Sequence, residues 1–143
     1  MKKWYLAASI LATILLAIGC APARVAIPPA ALSEIFVLSA TDPIGKYVDI
    51  KEVQDRPDLL YIMVYIKSLP GQYTTLQDAL PEAKNITRTV VESAVAILKK
   101  NNINEPVSVW VQLPLQGGGV TVLGHVEYDG KNYKDFQVYT TAP

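Results

Sequence analysis

Apolar and polar residues alternate along several stretches of the chain, and a period of two is typical of β-strands. The clearest case is residues 107–113, where Val107, Val109, Val111 and Leu113 alternate with Ser108, Trp110 and Gln112. Residues 59–66 are apolar on both faces, which suits a central strand that is covered on both sides. Together with residues 47–53, 120–128 and 133–139, these stretches predict five strands. A short apolar run at residues 35–38 is compatible with an additional edge strand.

A long amphipathic helix is predicted between the second and third strands. Its apolar positions recur at spacings of three and four residues, the period of a helix with one buried side; they are Ala83, Ile86, Val90, Val91, Ala94, Val95, Ile97 and Leu98. Arg88 and Glu92 fall on the opposite side and can pair across one turn. Pro81 predicts either a kink or a start near residue 80, and Asn101 and Asn102 suit the C-terminal cap.

The element order β-β-α-β-β-β predicts an α+β fold, a mainly antiparallel sheet of about five strands with one long helix packed on one face. Asp129-Gly130 is a two-residue hairpin signal between the last two strands. A loop of that length places Val126 opposite Tyr133, and Leu123 opposite Phe136. Residues 34–143 are expected to form this single α+β domain.

The N-terminus combines two lysines, an uncharged and largely apolar run, and the only cysteine of the chain. Lys2 and Lys3 precede residues 4–18, and Cys20 follows in Leu16-Ala17-Ile18-Gly19-Cys20. These 15 residues are short for a helix that spans about 30 Å of hydrocarbon, but they suit the core of a signal peptide. Because a lone thiol cannot form an internal disulfide, its position indicates attachment rather than a role in folding.

The segment resembles the signal peptide of bacterial lipoproteins, with a lipobox that ends in Gly19-Cys20. Ala17 stands where leucine is more usual. The resemblance implies that residues 1–19 are removed and that Cys20 carries a diacylglyceryl group on its sulfur. Two or more acyl chains, at about 0.8 kcal/mol per buried CH₂, would hold the product in a membrane. The domain is then expected in the cell envelope, facing the periplasm or the exterior, and at the outer membrane if the organism has one.

Two other interpretations of the N-terminus stay open. Ala21-Pro22-Ala23 fits an ordinary signal-peptidase site, which would release a secreted protein without Cys20. Alternatively, residues 4–23 could remain uncut as a transmembrane anchor. All three interpretations place the domain outside the cytoplasm.

Composition narrows the function of the mature chain. Of the 143 residues, removal of the first 19 leaves 124, enough for one domain with a core. Lys2 and Lys3 leave with the signal, so 11 basic and 13 acidic side chains remain, and this balance argues against a nucleic-acid binder. Residues 20–33 are expected to form the lipidated cysteine and an extended Pro/Ala-rich tether. Its thirteen residues after Cys20 would reach at most about 43 Å.

Motifs for catalysis or cofactors are weak. The glycines at 117–119 lead into another strand rather than into a helix, so they favour a flexible hairpin over a phosphate-binding loop. His125 is the only histidine, and no cysteine thiol is free once Cys20 is modified, which makes a zinc site improbable. We expect His125 on a partly exposed strand face, and we predict no cofactor and no metal.

Two further motifs have ordinary explanations. Asp49, Glu52, Asp55 and Asp58 form a carboxylate-rich stretch, but the spacing of a calcium-binding EF-hand is absent. A solvated strand end is therefore expected, with a weak calcium site as a remote alternative. Asn85-Ile86-Thr87 fits a glycosylation sequon by chance on the predicted helix.

The face of the sheet away from the helix is the best candidate for a functional surface. If the stripe of Leu60, Ile62, Val64 and Ile66 faces the helix, the opposite face carries a second set of residues: Tyr61, Met63, Tyr65, Trp110, and with them Leu123, His125 and Phe136. Tyrosine, tryptophan and methionine are favoured at interfaces. The competing interpretation is that the N-terminal segment, including residues 35–38, covers this face as a second small core.

The leading functional hypothesis is a lipid-anchored, non-catalytic envelope protein that binds a partner protein or a small ligand through this face. The alternatives are a small envelope hydrolase that uses His125 with Glu127 or other carboxylates, and a structural lipoprotein that self-associates. The expected partners are the membrane, through the N-terminal lipid, and an envelope protein or small ligand, but no nucleic acid.

Overall fold

The computed structural model describes residues 24–67, 76–114 and 119–139, in which three helices and five strands follow one another. The helices are α1 (Pro29–Phe36), α2 (Ile44–Tyr47) and α3 (Leu76–Lys100), with a 3₁₀ turn at Val37–Ala40. The strands are β1 (Val48–Asp55), β2 (Leu60–Ile66), β3 (Val107–Pro114), β4 (Val120–Tyr128) and β5 (Gln137–Val138). The expected signal segment and Cys20 lie outside the described residues.

The strands form one sheet in the order β1-β2-β3-β4-β5. Neighbouring strands are antiparallel except β2 and β3, which are parallel and are joined through α3. A parallel pair needs a long crossover connection, and α3 supplies it while covering one face of the sheet. The predicted α+β fold, with its element order and mainly antiparallel sheet, is confirmed.

The core lies between α3 and one face of the sheet. The aliphatic stripe of β2 is completely buried at Leu60, Ile62 and Val64, and on α3 Val90 and Val91 are equally inaccessible. The alternating pattern of β3 is confirmed, because Val107, Val109 and Val111 join the same cluster. The sequence predictions for the buried stripe and the apolar side of the helix are therefore correct.

Helix α3 runs through Pro81, which lies in its second turn and is exposed. The helix thus begins earlier than the start near residue 80 that was one of the two sequence alternatives. At its other end Asn102 has a φ of 59°, in the left-handed region. The amide of Ile103 donates to the Leu98 carbonyl at 2.9 Å and that of Asn102 to the Lys99 carbonyl at 3.0 Å. This Schellman cap confirms the predicted end of the helix.

The N-terminal segment differs from the extended tether that the sequence predicted. Pro28 and Pro29 start α1 instead of prolonging the tether, because proline fits the first turn of a helix, where its missing amide hydrogen costs nothing. Ala31 and Ile35, one turn apart, are buried in the main core. The run at 35–38 is therefore helical and 3₁₀ rather than an edge strand.

The connection between β4 and β5 also differs from the prediction. The loop contains the four residues 129–132, in which the Asp129 carboxylate accepts hydrogen bonds from the amides of Lys131 and Asn132. The ladder then pairs Tyr128 with Tyr133, and further along His125 with Gln137. The pairs expected for a two-residue loop, Val126 with Tyr133 and Leu123 with Phe136, are wrong, and β5 has only two residues.

Among the described residues, no helix combines the length and apolar character needed to cross a bilayer. Helix α3 is long enough, but it is amphipathic, with Arg88 and Glu92 paired at 2.6 Å on its outer side.

A core substitution in α1 tests whether the N-terminal segment is part of the folded domain. Ile35 is completely buried, so Ile35→Ala is expected to lower the free energy of unfolding by about 2–5 kcal/mol. Val37→Ala, two residues away and 52% exposed, is the control and is expected to change it by less than about 0.5 kcal/mol. Urea denaturation of both variants measures this, and equal stabilities would contradict the packing of α1.

Candidate functional site

One face of the sheet carries aromatic side chains and lies opposite the helix-covered core. We call it the aromatic face, and its members are Tyr61, Met63, Tyr65, Trp110, His125 and Tyr139. Strand register brings them together, since Met63 pairs with Trp110 across β2 and β3, and Trp110 pairs with His125 across β3 and β4. The sequence prediction included all of them except Tyr139.

Trp110, His125 and Tyr139 form a triangle of stacked rings. The ring centroids are 4.8 Å apart for Trp110 and His125, 5.3 Å for Trp110 and Tyr139, and 5.4 Å for His125 and Tyr139. Tyr61 extends the cluster on the side of β2, with its centroid 6.5 Å from that of Trp110. The rings hold one another in place, so the cluster is preorganised.

The triangle buries His125. The histidine is only 7% exposed, whereas Tyr139 is 43% exposed. The expectation of a partly exposed histidine is therefore wrong, because Tyr139 reaches back over β4 from beyond β5. Its position is fixed by the hydrogen bond from its amide to the Leu123 carbonyl at 2.9 Å.

Two of the sequence candidates lie elsewhere. The register between β3 and β4 shifts after Val111, which pairs with Gly124, so that Gln112 pairs with Val122. Leu123 is the extra residue of this bulge, and it belongs to the main core. Phe136 packs against the same core over Gly124, where an added Cβ would lie 2.6 Å from the phenyl ring. Leu123 and Phe136 are therefore not part of the aromatic face.

Cations from the β1 side cover two of the tyrosine rings. The guanidinium carbon of Arg56 lies 3.6 Å from the ring centroid of Tyr61, and Lys51 Nζ lies 5.2 Å from that of Tyr65. Such cation–π contacts are worth about 0.5–1 kcal/mol at exposed sites. Sequence analysis missed these contacts, because the partner of Tyr61 comes from the turn after β1.

The carboxylates of the stretch from Asp49 to Asp58, the sequence candidate for a calcium site, have separate partners in the structure. Asp49 pairs with Lys51 at 3.3 Å and with Lys67 at 3.2 Å, and these cations lower the pKa of its carboxyl against the opposing effect of burial. Asp55 instead pairs with Arg24 at 2.6 Å. Within residues 24–67, 76–114 and 119–139, no group of three histidine, cysteine or acidic side chains is placed to hold a metal ion.

Glu127 connects the histidine to the edge of the face. Its carboxylate accepts a hydrogen bond from Lys134 Nζ at 2.9 Å, and its other oxygen lies 3.3 Å from His125 Nε2. The lysine contact lowers the pKa of the Glu127 carboxyl, with a smaller contribution from His125, and the carboxylate raises the pKa of Lys134.

Within the described part of the chain, the geometry places no nucleophile in a hydrogen bond with His125. Ser108 pairs with Glu127 across β3 and β4 and shares a cleft of about 210 Å³ with Glu127 and Lys134. Nucleophilic catalysis needs a hydroxyl that is hydrogen-bonded to the imidazole. However, His125 Nε2 faces Glu127, and its Nδ1 is buried without a hydrogen-bond partner among the described residues.

The N-terminal segment packs on the other side of the sheet. Ile27, Ala31 and Ile35 belong to the core cluster that includes α3 and the aliphatic stripe of β2. The competing interpretation, in which residues 35–38 cover the aromatic face as a second core, is therefore wrong.

The glycine-rich segment at 117–119 and the sequon at 85–87 are explained by the fold. The strands on either side of the glycine-rich segment are antiparallel, which confirms that it connects a hairpin, and Gly119 has a φ of 85°; Gly117 and Gly118 lie outside the described residues. In the sequon, Thr87 is buried in α3 and donates to the Ala83 carbonyl at 2.6 Å.

No family model matches the chain, and a search of curated proteins found no match.

The pH dependence of stability tests the contacts of Glu127. Because its folded-state pKa is lowered, the carboxylate stabilises the fold above its ordinary pKa of about 4.5, and this stabilisation is lost as the pH falls through the lowered value. The difference in unfolding free energy between wild type and Glu127→Gln is therefore expected to be full above about pH 5 and to shrink below about pH 4. Lys134→Met, which removes the main partner, should show the same trend. A difference that does not vary with pH in urea titrations would contradict this assignment.

Gly124 tests how the fold positions Tyr139. A Cβ at this position would lie 2.0 Å from the Gln137 carbonyl oxygen, so Gly124→Ala must displace β5. We expect a loss of about 1–3 kcal/mol in stability and a shift of the Trp110 indole N–H resonance as Tyr139 moves away. Val138→Ala, directly opposite in the ladder and 40% exposed, is the matched control and should leave that resonance in place. An unchanged indole resonance in Gly124→Ala would show that Tyr139 does not depend on β5.

Proposed function

We propose that this protein is a lipid-anchored, non-catalytic cell-envelope protein that binds a partner protein through the aromatic face. The attachment rests on the lipobox-like segment that ends at Cys20. The binding function rests on one observation, a row of aromatic residues that crosses β2, β3 and β4 on the face that the helices leave open, and that Tyr139 extends.

The composition of this face supports a protein interface. Tyrosine, tryptophan, methionine and arginine are enriched in the centre of interfaces, and charged residues are typical of the rim. Here Tyr61, Trp110 and Tyr139 occupy the centre. Ion pairs surround them, with Asp49 and its lysines on one side and Glu127 with Lys134 on the other.

The arrangement of the rings favours a protein over a flat small ligand. Sugars and planar ligands stack on open ring faces, but here the rings stack on one another and Arg56 lies over Tyr61. Tyr61 and His125 are only 9% and 7% exposed, so the faces of these two rings are not open for stacking by a flat ligand, whereas Tyr139 is 43% exposed and available to a partner's side chains. The Tyr61 hydroxyl is protonated near neutral pH at its ordinary pKa of about 10, and burial raises that pKa further.

Among the residues that the structure describes, none offers a nucleophile hydrogen-bonded to His125, which supports a non-catalytic role over the hydrolase alternative. His125 is better explained as a packing residue, because both neighbouring rings stack on it. Self-association through the same face is the remaining alternative, and crosslinking distinguishes it directly.

Photo-crosslinking in native membranes tests the proposal. A photoreactive amino acid at Gln112, which is half-buried beside Trp110 on β3, is expected to give one main adduct with another envelope protein. Trp110→Ala or Tyr139→Ala should reduce the yield at least about tenfold, as expected for an interface residue worth roughly 2 kcal/mol. Phe36→Ala, an exposed aromatic residue on α1, is the control and should leave the yield unchanged.

Three results would contradict this function. Unchanged yields in both face variants, with the domain still folded, would remove the aromatic face as the interface. An adduct that contains two copies of this protein would favour the self-associating alternative. A mature protein whose mass shows no lipid on Cys20 would remove the anchor.

A further inference from the structure

We infer that the domain is held directly against the bilayer, with one particular end of the sheet in contact with the lipid headgroups. The inference rests on the proposed attachment through Cys20. It combines that attachment with an ionic contact, which we call the Arg24 clamp, formed by Arg24, Asp55 and Glu105.

The Arg24 clamp fixes the chain four residues after the proposed lipid. Arg24 Nη2 lies 2.6 Å from Asp55 Oδ1, and its Nε lies 3.0 Å from Glu105 Oε2. The Ile27 amide donates to the other oxygen of Asp55 at 3.0 Å, and Ile27 itself is buried in the core. All three charged side chains are less than 25% exposed, so water screens these contacts less than those of a surface pair.

Because residues 24–36 pack on the domain, only a short link, which we call the leash, connects the lipid to the domain. Only residues 21–23 lie between Cys20 and Arg24. At roughly 3.3–3.6 Å per residue, the Cα atoms of Cys20 and Arg24 can be at most about 14 Å apart. The sequence alone allowed a tether of about 43 Å, three times as long. Arg24, and with it the end of the domain that carries the clamp, therefore stays within about 14 Å of the lipidated cysteine and close to the headgroups.

The register of the sheet shows which end faces the bilayer. Asp55 pairs with Leu60, Leu60 with Val107, and Val107 with Tyr128, so these residues lie at the same end of four strands. This membrane-facing end also contains three connections: residues 56–59, 101–106 and 129–132. At the opposite end, Pro114 pairs with Val120, so the exposed Val120 lies far from the clamp.

The chemistry of this end fits contact with headgroups rather than insertion into hydrocarbon. Its exposed residues are polar except for Pro57, among them Arg56, Asp58, Asn102, Asp129 and Lys131. Two cations and two anions in this group balance, so the leash rather than a basic patch would hold the surface on the membrane. The partner of this end is therefore the polar surface of a phospholipid bilayer.

This orientation defines where the aromatic face is presented. The seven residues of β2 extend about 23 Å away from the membrane-facing end. The strands would then run roughly perpendicular to the membrane plane. The aromatic face would be accessible from the side, to a partner that lies within a few tens of ångströms of the bilayer.

Fluorescence quenching on vesicles tests the orientation. The lipidated full-length product is reconstituted into phosphatidylethanolamine and phosphatidylglycerol vesicles that contain a phosphatidylcholine with a spin-labelled headgroup. A fluorophore is placed on a single introduced cysteine, either Asp58→Cys at the membrane-facing end or Val120→Cys at the opposite end. We expect at least about twofold stronger quenching at 58, because the two ends are about one strand length apart.

Lengthening the leash is the decisive control. Insertion of about twelve Gly and Ser residues between Ala23 and Arg24 leaves the clamp intact, and should lower the quenching at 58 to the level at 120. Arg24→Gln, which opens the clamp, should lower it as well. Quenching that is equal at 58 and 120 without the insertion, or that the insertion does not change, would overturn the orientation while leaving the lipid anchor in place. An intact mass without acyl chains would overturn the anchor and the orientation together, so the two failures are distinguishable.

Discussion

The burial of the aliphatic stripe of β2 against α3 holds the sheet and the helix together. Leu60, Ile62 and Val64 lose all their exposure there. Burying a side chain of this size stabilises the fold by about 1.5–3 kcal/mol. With a single cysteine, the chain cannot form an internal disulfide that would add to this stability. Because α3 is also the crossover between the parallel strands β2 and β3, the same packing fixes the two central strands and the helix together.

This packing assigns opposite roles to the two faces of the sheet. Side chains alternate along a strand, so the commitment of Ile62 to the core sends Tyr61 and Met63 to the other face. The N-terminal helix α1 joins the core side, where Ile35 packs, so none of the helices that the structure describes covers the aromatic face. An aromatic cluster bordered by ion pairs on an uncovered face is the physical basis of the proposed interface.

Much of the fold could be predicted because local periodicity and packing agree. The alternation around Trp110, the helical spacing from Ala83 to Leu98 and the asparagines at the end of α3 each led to a correct prediction. Errors arose where a single residue or a loop length decides the register. A bulge at Leu123 sends that side chain to the core, and a four-residue loop shifts β5, so Phe136 packs over Gly124 while Tyr139 joins the aromatic face. Single-residue shifts reverse the face of a side chain and leave no clear trace in the sequence.

The fold class, the buried stripes and the central members of the aromatic face could be read from the sequence alone; the lipid attachment at Cys20 is a proposal that rests on the sequence only. These features depend on residue type and on spacing within a short stretch of chain, and both can be read directly from the sequence. Three other features became visible only in the folded chain: residues 24–36 dock on the domain, Tyr139 completes the ring triangle, and His125 is buried. Each of these depends on contacts between residues far apart in the chain, such as Arg24 with Asp55 and Glu105, whose energies appear only after the sheet has brought the partners together.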